Sequence, residues 1–194
     1  WCNSTGNQLI SKETAGGKSV VVIEKGEPKS CNIVTSCEGK GKTFIMFSDD
    51  LDKALATFVL ANGAAATGQK VTIFFTFWGL NVIKKLHKPN VEKDIFGKMF
   101  GMMLPSSSRK LKLSKMSMGG IGGKMMRYIM NRKGIDSLES LRQQALENGV
   151  EFIACQMSMD VMGVKQEELL DEVTIGGVAT YMERADNANI NLFI

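Results

Sequence analysis

The chain is poor in the side chains that most metal and catalytic centres use. Its 194 residues include one histidine, His87, and four cysteines. One imidazole is too little for a His-rich metal site or a Cys–His–Asp catalytic group, so no bound metal ion is expected. Four cysteines are also too few for a secreted disulfide scaffold, and no charged-then-apolar leader precedes them. We therefore expect a reducing, cytoplasmic setting.

Common sequence motifs are missing as well. No Gly-x-Gly-x-x-Gly or phosphate-loop pattern follows any candidate strand, so nothing indicates a nucleotide site. Cys31 and Cys37 do not have the short Cys-x-x-Cys spacing of redox or zinc sites. They could pair with each other, although a role as simple linker residues fits their polar surroundings better. With 44% hydrophobic residues, the chain is expected to form a soluble α/β core with a smaller attachment.

Strand and helix patterns alternate from residue 43 to the end. The apolar run 43–47 is typical of a strand buried on both faces of a parallel sheet. Ser48, Asp49 and Asp50 then supply residues of the N-cap type for a helix that Gly68 ends. The pattern predicts an α/β fold: a doubly wound, mostly parallel five-stranded sheet with helices on both faces. The strands are predicted at 43–47, 71–75, up to 155, 173–175 and 190–194, and the helices from 51, after 79 through 86, at 135–148, around 166–171 and at 176–185.

The segment before residue 43 has a different character. Two β-prone runs flank a glycine turn at Gly16 and Gly17, which predicts a hairpin. Residues 28–42 mix Ser, Asn, Gly, Pro and charge, as a linker does. Because the chain begins at Trp1 and its first segment is too short for a domain, we interpret it as a piece of a longer polypeptide.

Cys155 is the most informative residue, because it ends the apolar run 152–154. Ligands bind at the carboxyl ends of the strands in open parallel sheets, so a thiol at this point is a candidate sulfur nucleophile. The alternative is a buried, inert cysteine, since free cysteine is among the most buried residue types.

Other candidates for a pocket lie at the same predicted edge. Phe77, Trp78 and Gly79 follow the strand at 71–75, and their aromatic rings could wall a pocket or simply pack in the core. Gly176 and Gly177 precede a helix and could receive an anion through backbone amides, although close packing explains them equally well. The full set of predicted pocket residues is Ser48, Asp49, Phe77, Trp78, Gly79, Gln156, Met157, Gly176 and Gly177.

A basic, methionine-rich segment interrupts the α/β pattern. Residues 84–133 contain 13 Lys and Arg against two acidic residues, and 8 of the 13 methionines. Such a surface suits an acidic protein, a lipid headgroup or a phosphorylated ligand, whereas its few aromatic residues and lack of a binding motif argue against nucleic acid. Charges interrupt every apolar run before the ~20 residues of a spanning helix, so the segment could lie on a membrane but not cross it. The alternative is an insertion whose methionines pack over the sheet or a neighbouring subunit.

The stretch from Cys155 to Gly163, Cys-Gln-Met-Ser-Met-Asp-Val-Met-Gly, together with the order of elements, resembles the DsrE/DsrF-like sulfur-carrier family. It is most similar to the methionine-rich branch often called peroxiredoxin-like. The resemblance covers about residues 42–194 and implies that Cys155 carries sulfur as a persulfide. Residues 1–27 are similar to the last two strands of a TusA-like domain. The chain would then comprise that remnant, the linker 28–42 and a DsrE/DsrF-like domain at 43–194 with an insertion at about 88–134.

The resemblance also implies partners. These are TusA-like and rhodanese-type sulfur carriers, a flavin disulfide reductase in the same polypeptide or operon, and further copies of the chain. The expected function is a sulfur carrier or sulfurtransferase. Because exchange of sulfur between thiols needs no metal or organic cofactor, no cofactor is expected. A peroxidase is not expected, because no second cysteine near Cys155 could resolve a disulfide. The rival function is a non-catalytic module that docks to a protein or membrane through the basic segment.

Overall fold

Five parallel strands form the central sheet in a computed structural model of the chain. The structure describes residues 8–15, 18–24, 41–87, 89, 91, 99, 101 and 103–194. The chain divides into two compact units, Trp1–Glu38 and Gly39–Ile194. Cys2, Cys31, Cys37 and most of the predicted linker lie outside the described residues.

The first unit contains the predicted hairpin. Strand β1, Gln8–Ala15, pairs antiparallel with β2, Lys18–Glu24, and the register shifts once between Leu9 and Ser11. The hairpin is thus confirmed, while its assignment to a TusA-like domain stays a prediction.

The second unit confirms the predicted α/β fold with its five-stranded sheet. The strands run in the spatial order β6-β5-β4-β3-β7, and every neighbouring pair is parallel. The central strand β4 is buried along its whole length, as expected from its continuous apolar sequence. The bounds are Gly41–Met46 for β3, Val71–Phe75 for β4, Glu151–Cys155 for β5, Thr174–Gly176 for β6 and Ala188–Phe193 for β7.

Helices cover both faces of this sheet. Phe44, Phe75 and Phe152 point into the larger core, where α1 packs, whereas Phe74 and Ile153 point to the opposite face, which α5 covers. The helices are α1, Leu51–Ala66; α2, Ile121–Arg132; α3, Leu138–Glu147; α4, Gln156–Met162; and α5, Val178–Asp186. In the described part of the chain, 3-10 helices lie at Phe77–Ile83, Ser108–Lys110, Met118–Gly120 and Gln166–Glu168.

Several predicted helices differ from the structure. The helix expected to run through Leu86 is a 3-10 turn that ends at Ile83, and the one expected at 166–171 is a single 3-10 turn. Helix α4 was missed because it has only two turns and begins directly after a strand, which leaves too few residues for helical periodicity to appear. By contrast, the helix predicted at 135–148 is present as α3, and Ser137 caps it, since its side chain accepts a hydrogen bond from the Ser140 N–H.

A partly buried ion pair ties the basic segment to α3. Arg127 on α2 donates to Glu139 at 2.9 Å and to the Ser108 carbonyl at 2.9 Å, while the Ser108 hydroxyl also donates to Glu139. Burial raises the pKa of the Glu139 carboxyl, but Arg127 and the hydrogen bonds outweigh that effect and hold the pKa below its usual 4.5. The ionised form therefore stabilises the fold.

Glu139→Gln is expected to lower the free energy of unfolding at pH 7 by about 2 kcal/mol, since it removes an acceptor that is charged and partly buried. The stabilisation by Glu139 is complete above about pH 4.5 and is lost as the pH falls through its lower, folded-state pKa. Urea unfolding at pH 7 and pH 3 measures both effects. Glu147→Gln, on the exposed side of the same helix, is the control and should change little. Equal stability of the two variants at pH 7 would contradict the prediction.

Candidate functional site

The carboxyl ends of the strands lie along one edge of the sheet. Backbone hydrogen bonds hold the segments that leave it: the Thr76 N–H donates to the Met46 carbonyl at 3.0 Å, and the Gly79 N–H donates to the Phe47 carbonyl at 2.8 Å. The residues that follow β3 and β4 therefore pack against each other. This edge is where an open parallel sheet offers a binding crevice.

Cys155 occupies the predicted position at this edge. It is the last residue of β5, pairs with Gly176 of β6, and is followed at once by α4. Its thiol is free but only 1% exposed, because the side chain packs with Phe74, Ile153 and Tyr181 on the face that α5 covers. Although Cys155 is the N-cap residue of α4, its side chain accepts no capping hydrogen bond. Attack on an external sulfur compound thus requires local opening around α5 or the start of α4.

A hydroxyl pair lies next to Cys155 and was not predicted. Phe75, the last residue of β4, pairs with Ala154 of β5. Thr76, the residue after Phe75, therefore lies beside Cys155, the residue after Ala154. The Thr76 and Ser158 hydroxyls are 2.8 Å apart and buried, which fastens the first turn of α4 to the end of β4. These two residues are 82 positions apart in sequence, so no local pattern could reveal the pair.

The two glycines at the start of α5 have different surroundings. A Cβ on Gly176 would lie 2.8 Å from Cγ2 of Ile153, so this glycine permits close approach of β6 to β5. Gly177 is the N-cap residue of α5, and a Cβ there would meet nothing within 4 Å. Close packing therefore accounts for Gly176, and an anion site at these amides stays a prediction.

Asp49 and Trp78 lie together on a separate cavity at the same edge. It measures about 600 Å³ and is also lined by Met103, Lys110 and Lys112 of the basic segment. Cys155 is not among its lining residues, and its side chain is on the face of the sheet that α5 covers. The predicted pocket residues thus divide into two groups.

The other residues of the Asp49 group have structural contacts. The Ser48 hydroxyl donates to Asp50 at 2.8 Å, and the Phe77 ring packs against Phe47 with ring centroids 5.5 Å apart. Asp50 is the N-cap residue of α1, but its side chain makes no capping hydrogen bond. The N-cap residue therefore lies within Ser48–Asp50 as predicted, but no side chain caps the first turn. The Leu51 N–H donates instead to the Lys112 carbonyl, because the basic segment crosses the start of α1.

Gln156 and Met157 lie on the exposed side of α4. The Gln156 amide donates to both carboxylate oxygens of Asp160 one turn later, and the Met157 side chain is exposed. Neither packs in the cluster around Cys155. They belong to the surface next to the buried thiol.

The described residues contain neither a candidate metal cluster nor a candidate membrane-spanning helix. In that part of the chain no three His, Cys, Asp or Glu side chains gather into a set that could hold a metal ion. Among the helices described, none has both the length and the hydropathy needed to span a bilayer.

Comparison with known proteins agrees with the sequence resemblance. The sequence model of the DsrE/DsrF/DrsH-like family matches residues 39–193 of this chain. The chain is 44% identical over 155 residues to protein YrkE of Bacillus subtilis strain 168, covering 80% of this chain and 97% of YrkE. It is 38% identical over 161 residues to the sulfur carrier protein DsrE2 of Allochromatium vinosum, covering 81% of this chain and 99% of DsrE2.

Among solved structures, the ychN protein of E. coli aligns over 79% of this chain and 99% of its own, with a TM-score of 0.48 and 11% identity. The family match covers most of the chain, and both relatives exceed 30% identity over nearly their full length. This chain therefore belongs to the DsrE/DsrF/DrsH-like family.

Proposed function

We propose that this protein relays sulfane sulfur as a persulfide on Cys155. Two observations support the proposal together. The chain is 38% identical to a protein described as a sulfur carrier, over nearly that protein's full length. It also has a free thiol at the carboxyl end of β5, the edge at which parallel sheets bind ligands. The second observation carries the proposal, because a relay needs one thiol at a defined place.

The chemistry needs no cofactor. The Cys155 thiolate attacks the outer sulfur of a donor persulfide, R–S–SH; the new S–S bond forms on Cys155, the old one breaks, and the donor leaves as the thiolate R–S⁻. An acceptor thiolate then attacks the outer sulfur on Cys155, takes it as R′–S–SH, and restores the Cys155 thiolate. Each step is a thiol exchange in which the sulfane sulfur keeps its oxidation state, so no external oxidant or reductant is consumed.

The thiol's burial gives this relay a specific kinetic character. A thiol that is 1% exposed reacts with a donor only when the packing around Tyr181 opens. We therefore expect slow loading by small polysulfides and faster loading by a donor protein that binds at this edge and favours the open state. TusA-like and rhodanese-type carriers, and a flavin disulfide reductase of the same polypeptide or operon, are the partners proposed, in a cytoplasmic setting.

Mass spectrometry tests the function directly. The reduced protein is incubated with polysulfide, its intact mass is measured, and all four cysteines are mapped by peptide analysis. The expected result is an added sulfur on Cys155 that dithiothreitol removes. No adduct at Cys155, after loading times long enough for exchange of buried amides in its cluster, would refute the relay.

A docking module is the second candidate function, and α2 supplies the observation that favours it. Ile121, Met125 and Tyr128 are exposed on this helix at helical spacing, with Lys124 between them. An exposed apolar stripe flanked by cations suits an acidic partner or a lipid surface. Sedimentation with anionic vesicles tests this function: Lys124→Glu should weaken binding, whereas Cys155→Ala should leave it unchanged.

Self-association is the partner proposal that strand β7 supports. This strand is at the edge of an all-parallel sheet, and Leu192 and Phe193 on it are exposed, Phe193 by 68%. Parallel strands are normally covered on both faces, so a second copy of the chain could cover the exposed apolar side chains of β7.

Phe193→Lys is expected to shift the chain from oligomer to monomer, because it places a charge in that apolar contact. Light scattering coupled to size-exclusion chromatography measures the change. Tyr128→Lys on α2 is a matched control, since its side chain is equally exposed but lies on another element. A wild-type monomer, or equal loss of association in both variants, would contradict assembly through β7.

A further inference from the structure

The cavity beside Asp49 has the dimensions and wall of a small-molecule site. Its volume of about 600 Å³ lies in the usual range for ligand pockets. Trp78 forms part of the wall and is 43% exposed, so part of its side chain is available for contact. Leu104 and Leu113 add apolar surface, whereas Lys110 and Lys112 add positive charge. An aromatic wall beside two cations is suited to an organic anion.

The charges around the cavity favour an anion as well. Asp50 also lines it, but Lys53 pairs with this carboxylate at 2.8 Å and the Ser48 hydroxyl donates to it at the same distance. Neither Lys110 nor Lys112 has an ion-pair partner among the described residues. Their charges are therefore available to a ligand.

Asp49 is the remaining acidic group, and it is bound to a fully buried amide. Nδ2 of Asn81 donates to Oδ2 of Asp49 at 3.0 Å, and Asn81 is 0% exposed. Oδ1 of Asn81 is buried and has no hydrogen-bond partner in the described part of the chain. If the Asn81 amide group rotates by about 180°, this oxygen can accept a hydrogen bond from the hydroxyl of a protonated Asp49. The pair can thus keep a hydrogen bond whether Asp49 is charged or neutral.

Burial raises the pKa of the Asp49 carboxyl, and the charge of Asp50 raises it further, while the Asn81 hydrogen bond and the charge of Lys84 act in the opposite direction. The charged groups that face Asp49 are Asp50, Lys53, Lys84, Lys110 and Lys112. Because the net shift is upward, Asp49 gains a proton more readily than an exposed aspartate does. An anion bound nearby favours this proton further.

We propose that this cavity binds a small organic anion, with its apolar body against Trp78 and its acid group at Lys110 and Lys112, and that Asp49 takes up a proton as the anion binds. The site is separate from the buried thiol, so binding does not depend on the sulfur relay proposed above.

Fluorescence of Trp78 tests the proposal. The chain has two tryptophans, and Trp1→Phe leaves Trp78 as the single reporter. Benzenesulfonate is the probe because it stays anionic throughout the pH range, and neutral benzenesulfonamide is the matched ligand. Benzenesulfonate is expected to change the emission of Trp78 and to bind more tightly as the pH falls from 8 through the raised pKa of Asp49, by at most about tenfold per pH unit for one proton. The sulfonamide should bind weakly and without this trend.

Variants separate the roles of the charged groups. Replacing Lys110 and Lys112 together with alanine should weaken benzenesulfonate binding by about tenfold or more. Asp49→Asn should bind tightly at pH 8 and lose the pH dependence, whereas Asp50→Asn should keep it. Circular dichroism confirms that each variant is folded.

Three results would overturn the proposal: equal binding of the sulfonate and the sulfonamide, an unchanged pH trend in Asp49→Asn, or no change of Trp78 emission at any pH. Cys155→Ala must bind the probe as the parent does. A failure to bind the probe would therefore refute this site without bearing on the sulfur relay, and a failure of sulfur loading would refute the relay without bearing on this site.

Discussion

Gly79→Ala is expected to prevent stable folding of the second unit. A Cβ at this position would lie 1.9 Å from the Met46 carbonyl oxygen and 2.7 Å from its carbon. Both are backbone atoms at the end of β3, an interior strand of the sheet, so no side-chain rotation can relieve the overlap. The Gly79 N–H also donates to the carbonyls of Phe47 and Thr76, and any shift of the turn would strain these bonds. We expect a loss of more than about 4 kcal/mol in the free energy of unfolding.

Urea unfolding followed by circular dichroism measures this loss, and the yield of soluble protein gives a first indication. Gly63→Ala is the matched control: Gly63 lies inside α1, and a Cβ there would meet nothing within 4 Å. That substitution should stabilise the chain by about 0.5–1 kcal/mol, because alanine favours the helix over glycine. A Gly79→Ala variant as stable as the parent would mean that the turn after β4 can move away from β3.

The strands could be predicted from sequence wherever burial is continuous. Strand β4 has the predicted bounds because all five of its residues are buried and apolar. Strand β3 begins two residues earlier than predicted, since Gly41 and Lys42 pair with neighbours although they lack an apolar pattern. Local sequence shows apolar runs, and it does not show where pairing continues beyond them.

The sequence predicts the position of the candidate site but not the residues that surround it. The end of an apolar run placed Cys155 at the sheet edge, but its cover by Tyr181 depends on how α5 crosses the sheet. Asp49 was predicted as a pocket residue, whereas its bond to Asn81 joins residues 32 positions apart. Contacts of this kind follow from the order of strands, β6-β5-β4-β3-β7, which the pattern of elements does not determine.

Cys155→Ala is expected to abolish sulfur loading at position 155 while leaving the fold intact. The proposed relay depends on one sulfur atom, so its removal should reduce the adduct to background rather than lower it by degrees. Cys155 is small and packs in an apolar cluster, so alanine should cost only about 1 kcal/mol of stability. Serine would be a poorer choice, because it buries a hydroxyl beside Phe74 and Ile153, where an unpaired hydroxyl costs about 1–3 kcal/mol.

The comparison is clearest in a background in which Cys2, Cys31 and Cys37 are serine, so that Cys155 is the only thiol. Intact mass after polysulfide treatment should show one added sulfur in this background and none when Cys155→Ala is added. An adduct that persists in the Cys155→Ala variant with the other three cysteines intact, and that maps to those cysteines, would show that those thiols accept sulfur by themselves. The background with three serines removes their contribution.

The time course distinguishes a relay thiol from one that is merely buried. If opening of the cluster around Tyr181 limits access, low urea concentrations well below the unfolding transition should speed loading of Cys155, and Tyr181→Ala should speed it further by removing the cover. A packed, inert thiol would instead load only in proportion to global unfolding, with the urea dependence of the whole domain. A loading rate that follows global unfolding in both the parent and Tyr181→Ala would therefore leave Cys155 as a core residue and favour the docking function of α2.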